Sequence, residues 1–190
     1  EFLKISVPPT LLITAISDIE DCETIVTSDF KKAGDHIYVL GNCDYSHLNF
    51  SEYTRTYYHE NFKPEMVDSK KNFELYRRIN KAQKQKLFES IHDVSEGGNI
   101  TALIESSFGS GVGAQVNVDK SFNPYAFLYN ESCGRFIVSV SNENKEKFEQ
   151  MFYDALLIGE TTSGSEIEIN ILDSQIKCSI DELQVAWRGE

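Results

Sequence analysis

Apolar positions along this chain come in short bursts whose spacing changes from one burst to the next. Leu11, Leu12, Ile13 and Ile16 follow Pro8 and Pro9. A short apolar run behind prolines that cannot pair in a ladder predicts a buried strand over 11–16. His36 to Leu40, entered through Gly34 and left through Gly41, predicts a second strand. The segment 42–63 is polar and aromatic without a sustained period and reads as an irregular excursion. From Ser69 to Phe88 the period changes: Phe73, Tyr76, Ile79, Ala82 and Leu87 recur at helical intervals among Lys, Arg and Gln, the mark of an amphipathic surface helix.

A short strand at 90–92 then runs through Gly97 and Gly98 into a helix carrying Ile100, Leu103, Ile104 and Ser107. Strands are expected over 113–118, 127–129 and 135–140, followed by a second amphipathic helix over 142–152 with Asn142 as its cap. Two more strands, 156–159 and 167–171, lead to a terminal helix capped near Ser179. Strands and helices interleave without strict βα repetition, so the pattern predicts an α+β fold, a mixed sheet with helices packed on it. One domain over 1–190 is expected, with no internal repeat and no low-complexity linker.

Composition narrows the function classes. The 190 residues carry 30 Asp and Glu against 18 Lys and Arg, a net charge of −12. That balance opposes docking on a nucleic-acid backbone, although backbone amides at a helix N-terminus can hold phosphate within an acidic protein. The longest apolar runs are a few residues, far short of the roughly 20 of a membrane helix. Cys22, Cys43, Cys133 and Cys178 are scattered without a C-x-x-C pair, which points to reduced thiols, a cytoplasmic location and no zinc cluster. The chain opens Glu1-Phe2-Leu3 and ends just after Trp187, and it is expected to be a piece of a longer enzyme.

Two polar clusters interrupt the apolar pattern where chemistry would sit. In Ile91-His92-Asp93-Val94-Ser95-Glu96-Gly97-Gly98 a strand end runs straight into two glycines and a helix. The first amides of a helix lack intrahelical partners, and glycines let an anion approach the backbone. His92 adds a titratable ring, Asp93 a carboxylate for a metal-bound phosphate, and Ser95 a hydroxyl donor. The same residues also suit a plain role in which Ser95 and Asp93 cap the helix and the glycines turn the chain. In Asn130-Glu131-Ser132-Cys133-Gly134-Arg135 the guanidinium can fork onto phosphate or carboxylate and Glu131 can orient it, or the cluster is a tight turn with a surface ion pair. Gly109-Ser110-Gly111 follows a helix and precedes a strand, the reverse of a nucleotide loop, and no G-x-x-x-x-G-K-[ST] occurs. No local signature pairs Cys133, or any serine, with one of the bases His36, His47, His59 and His92.

The ordered set Pro8-Pro9-Thr10-Leu11, Thr27-Ser28-Asp29-Phe30-Lys31, Gly34-Asp35-His36, His92-Asp93-Val94-Ser95-Glu96-Gly97-Gly98, Glu131-Ser132-Cys133-Gly134-Arg135, Ile158-Gly159-Glu160-Thr161 and Leu183-Gln184-Val185-Ala186-Trp187 resembles phosphoribosylformylglycinamidine synthase over nearly the whole chain. The resemblance is to the C-domain of the second of two homologous halves, the type of C-domain also found in aminoimidazole ribonucleotide synthetase. It implies an enzyme that uses ATP and magnesium to activate the amide of formylglycinamide ribonucleotide for attack by glutamine-derived ammonia. His92, Asp93, Ser95, Glu96, Gly97 and Gly98 would then line the nucleotide cleft, with Glu131, Ser132 and Arg135 at its substrate edge. The magnesium ligands and most ATP contacts would come from an N-domain, so no metal ligand is expected here. The implied partners are that N-domain, the first half of the enzyme, and a glutaminase domain or subunit. Alternatives are another superfamily member, of the selenophosphate synthetase, hydrogenase maturation or thiamine-phosphate kinase type, or a non-catalytic scaffold half holding a structural nucleotide. The chain departs from the family in lacking the glycine pair between Gly41 and Tyr53, although Ser51 and Tyr53 are kept, and in placing Asn99 after Gly98.

Overall fold

The structure is a computed structural model that describes residues 10–19, 21–58, 63 and 65–189. Among these residues seven strands make one mixed sheet, ordered β2-β4-β1-β5-β3-β6-β7. The strands are β1 (His36–Leu40), β2 (Ser90–Asp93), β3 (Gly113–Val118), β4 (Phe136–Val140), β5 (Leu156–Thr162), β6 (Glu166–Ile171) and β7 (Ser174–Ser179). The described helices are α1 (Glu52–Tyr57), α2 (Ser69–Lys84), α3 (Gly98–Phe108), α4 (Pro124–Tyr129), α5 (Lys145–Met151) and α6 (Ile180–Arg188), with a 3₁₀ turn at Cys22–Thr24. Only β3 and β6 pair in parallel; the other ladders are antiparallel.

Strand alternation divides the apolar side chains between two cores. Ile37 and Val39 of β1 join Val116, Ile137, Leu103 and Phe127 on the face covered by α3, α4 and α6. Tyr38 and Leu40 point the other way, to Val138, Val140, Leu75, Ala82, Phe148 and Phe152 beneath α2 and α5. Both faces of β1 are therefore buried, and its sequence is a continuous apolar run rather than an alternation. This is the α+β sheet with packed helices that the pattern predicts.

Several elements differ from expectation. Residues 11–16 form no strand and pair with no strand of the described sheet: Leu11, Leu12, Ile13 and Ile16 are 79 to 93% exposed. Pro8 and Pro9 lie outside the described residues, as does His59. Residues 127–129 are not a strand but the last turn of α4, which starts at Pro124 behind the capping side chain of Asn123. The irregular stretch 42–63 contains α1, held by a capping box between Ser51 and Thr54. Asn142 does not cap α5; its side chain bridges the His36 ring and the Gly34 carbonyl, and the helix begins at Lys145. Strand β7 was not signalled at all, since Ser174–Ser179 is polar and mostly exposed.

The four cysteines are free thiols, and no described helix is long and apolar enough to cross a membrane.

Candidate ligand-binding cleft

Strand β2 ends at Asp93, and the chain turns through Val94 to Gly97 into α3. Gly97 and Gly98 both have positive φ, 84° and 74°, which suits glycine. Gly98 is needed for a second reason: a Cβ there would stand 2.6 Å from the Leu128 carbonyl oxygen and 2.8 Å from that of Asn130. The glycine pair thus lets the start of α3 press against the end of α4.

Neither Ser95 nor Asp93 caps α3. The Ser95 hydroxyl donates to the Asp93 carboxylate, and the Gly98 amide donates to the Ser95 carbonyl at 3.2 Å. The cap comes from Glu131, whose Oε1 accepts the Gly97 amide at 2.8 Å and the Glu52 amide at 2.9 Å. One carboxylate oxygen therefore serves the entry of α3 and the first turn of α1, where negative charge is favoured by both helix dipoles. Part of the anion-binding capacity of this turn is already taken by the protein's own side chain.

Arg135 is almost fully buried. Its Nε donates to the Ser132 carbonyl at 3.1 Å, one terminal nitrogen to Asn99 Oδ1 at 2.8 Å, and the other to the Asn130 carbonyl; its guanidinium also lies over the Tyr45 ring. Asn99, itself buried, donates to the Phe127 carbonyl at 2.9 Å. Asn99 and Arg135 thus form one buried polar clamp joining α3, α4 and the 130–135 turn, with three of the five guanidinium N–H groups spent on it. Ser132 donates its hydroxyl to Glu65. Burial pushes the Cys43 thiol up, with the nearby Arg135 charge only partly opposing it, so Cys43 is unsuited to act as a thiolate.

Around these groups a cleft of about 670 Å³ is lined by Tyr76, Asp93, Ser95, Glu96, Glu105, Glu131 and Arg135. The two clusters singled out in the sequence therefore meet on one cavity. The His92 ring lies behind its wall, with Nδ1 at 2.7 Å from the Asp93 carbonyl and Nε2 at 3.3 Å from Glu105 Oε2. Sequence reasoning missed Glu105. Its only signal was its position on α3, two turns beyond Gly98. Cys133 links the cleft to a neighbouring groove of about 770 Å³ between α2 and the 65–68 and 132–133 segments. Among the described residues no group of three or more His, Cys, Asp or Glu side chains is placed to hold a metal ion. Ser51 and Tyr53, kept where the sequence lacks glycines, have structural work: Ser51 caps α1, and Tyr53 stacks on Tyr129 with centroids 4.3 Å apart.

The family model for AIR synthase related protein, C-terminal domain, matches residues 32–171. The chain belongs to this family. Strands β1 to β6, the α3 turn and the clamp lie within the matched region, and β7 follows it. Phosphoribosylformylglycinamidine synthase II from Thermotoga maritima has the same fold, with a TM-score of 0.70 at 15% identity over 85% of this chain and 28% of that one. T. maritima PurL complexed with ATP matches at 0.65, with 14% identity over 85% of this chain and 27% of that one. E. coli HypE, a hydrogenase maturation protein, matches at 0.56, with 15% identity over 82% of this chain and 52% of that one. The chain thus spans less than a third of the synthase chains it resembles.

Proposed function

We propose that this chain is the C-domain of an ATP-dependent synthetase that converts formylglycinamide ribonucleotide and glutamine-derived ammonia into the amidine, and that its cleft is one wall of the shared site. The observation that carries the reading is the convergence of the 93–98 turn and the 131–135 turn on one open cavity. Support comes from the family match and from fold neighbours whose structures hold FGAR or ATP.

On this reading Asp93, Ser95 and Glu96 face the bound nucleotide, Gly97 and Gly98 fix the turn, and His92 braces it from behind. Glu131, Ser132 and Arg135 shape the substrate edge. Glu131 and Arg135 do so as framework, because their hydrogen bonds are already directed into the protein. Among the described residues no group fits a magnesium ion by itself, so on this reading magnesium would be held by another domain. The exposed apolar run 11–16 supports such a neighbour: Leu11, Leu12, Ile13 and Ile16 would be covered by it. The remaining partners are the first half of the enzyme and a glutaminase.

The inward use of Glu131 and Arg135 also favours a second reading, a scaffold half that holds a nucleotide without turning it over. Ser95→Ala in the assembled enzyme separates the two. A fall in turnover of about tenfold or more supports the catalytic reading; unchanged turnover with a lower melting temperature supports the scaffold.

A further inference from the structure

Glu105 stands on α3 and lines the cleft, and each of its carboxylate oxygens lies beside a nitrogen on another element. Trp187 of α6 donates its indole N–H to Oε1 at 2.9 Å. The His92 ring of β2 places Nε2 3.3 Å from Oε2, an ion pair when the ring is protonated, because Nδ1 donates its proton to the Asp93 carbonyl at 2.7 Å. Trp187 is itself seated edge-on against Phe108, with ring centroids 5.8 Å apart. Two elements besides α3 thus meet one side chain, although a glutamate on a helix surface needs no such support. A carboxylate offers about four lone-pair directions, and two remain for a ligand.

We propose that Glu105 is a further binding residue of the cleft, accepting a hydrogen bond from a sugar hydroxyl of the ligand, and that His92 and Trp187 are positioning residues that aim it. The inference rests on the cleft being the synthetase site. The charge of the wall selects the hydroxyl. Asp93, Glu96 and Glu105 face the cavity, while the one cation on its lining, Arg135, is spent on carbonyls and Asn99. Such a wall disfavours a bare phosphate and favours a neutral donor, which keeps its hydrogen bond without paired negative charges. ATP and the ribonucleotide substrate each carry a ribose, so the two sources share this chemistry.

The test uses the enzyme in which this chain is joined to its other domains. Glu105→Ala is expected to raise KM about tenfold for one of the two substrates with kcat changed less than twofold, the split that marks lost ground-state binding. The substrate affected identifies whose ribose is held. Trp187→Phe, which keeps the ring and removes no ligand contact, is expected to raise the same KM by a smaller factor and to add nothing on the Glu105→Ala background. Unchanged KM for both substrates, or costs that multiply in the double variant, overturns the proposal. Should the assembled enzyme form no amidine, the synthetase reading falls, and calorimetric binding of Mg-ATP and of the ribonucleotide to the same assembly judges Glu105. A Kd about tenfold weaker in Glu105→Ala for either compound supports it, and equal values for both overturn it. In this chain by itself, where Trp187 is the one tryptophan, the single indole N–H resonance also reads the support directly. His92→Ala must move that resonance if the carboxylate couples the two rings; an unmoved signal contradicts the arrangement.

Discussion

Arg135 shows how far a side chain's chemistry depends on where its donors point. A guanidinium beside a cleft suits phosphate, yet this one is spent on two carbonyls and Asn99. Removing it leaves buried acceptors unpaired, so Arg135→Met is expected to lower stability by about 3 kcal/mol in urea denaturation, with Arg135→Lys failing to restore it because an ammonium cannot span the three acceptors. Glu131 behaves similarly. Glu131→Ala frees the Gly97 and Glu52 amides together, with an expected loss of about 2 kcal/mol, and Glu131→Gln, which keeps an acceptor oxygen, should lose less than half as much. Asp35 offers a pH test. Burial pushes its carboxyl up to about 6, against the opposing pull of Lys32, and its Oδ2 has no hydrogen-bond partner. The folded state therefore binds the Asp35 proton more tightly than the unfolded chain does. Its contribution is full below about pH 4 and is lost as pH rises through 6. Comparing urea stabilities at pH 4.5 and 7, Asp35→Asn should remove this fall with pH, by at most about 3 kcal/mol.

At the scale of elements, the legible parts of the sequence were those whose period and caps agree. Strands β1 and β4, helix α2 and the α3 turn all announce themselves by apolar spacing bounded by glycine or a capping residue. Helix α4 was misread because Phe127-Leu128-Tyr129 is too short to show a period, although Asn123-Pro124 marked its start. Strand β7 lacks an apolar face and exists by pairing with β6, which no local pattern records. The two polar clusters of the site were visible as clusters. Their partners were not, since Glu131 to Gly97 spans 34 residues and Trp187 to Glu105 spans 82. The run 11–16 carries the opposite lesson: β-branched and apolar composition signals burial but not which sheet supplies it. Because those side chains are exposed within this chain, Leu12→Asp is expected to leave its urea stability within about 0.5 kcal/mol. The same change should weaken association with the proposed neighbouring domain, read by co-purification of the two.

For the whole molecule, the fold places a cleft at one end of β2 and β4 and fills the rest of the sheet with two closed cores. Its wall is acidic, part of its helix-terminal anion capacity is taken by Glu131, and no metal-holding group is assembled on it among the described residues. On the proposed reading, a wall of this kind completes a site rather than making one. The chain's share of the synthase chains it resembles, less than a third, fits that division. The central claim is therefore measured most directly by calorimetric titration of Mg-ATP into this chain alone and into the chain joined to the proposed N-domain. The account predicts no measurable binding to the first and binding at micromolar or lower Kd to the second, weakened by Ser95→Ala. Equal binding to both, or binding to the joined protein that Ser95→Ala leaves untouched, would contradict it.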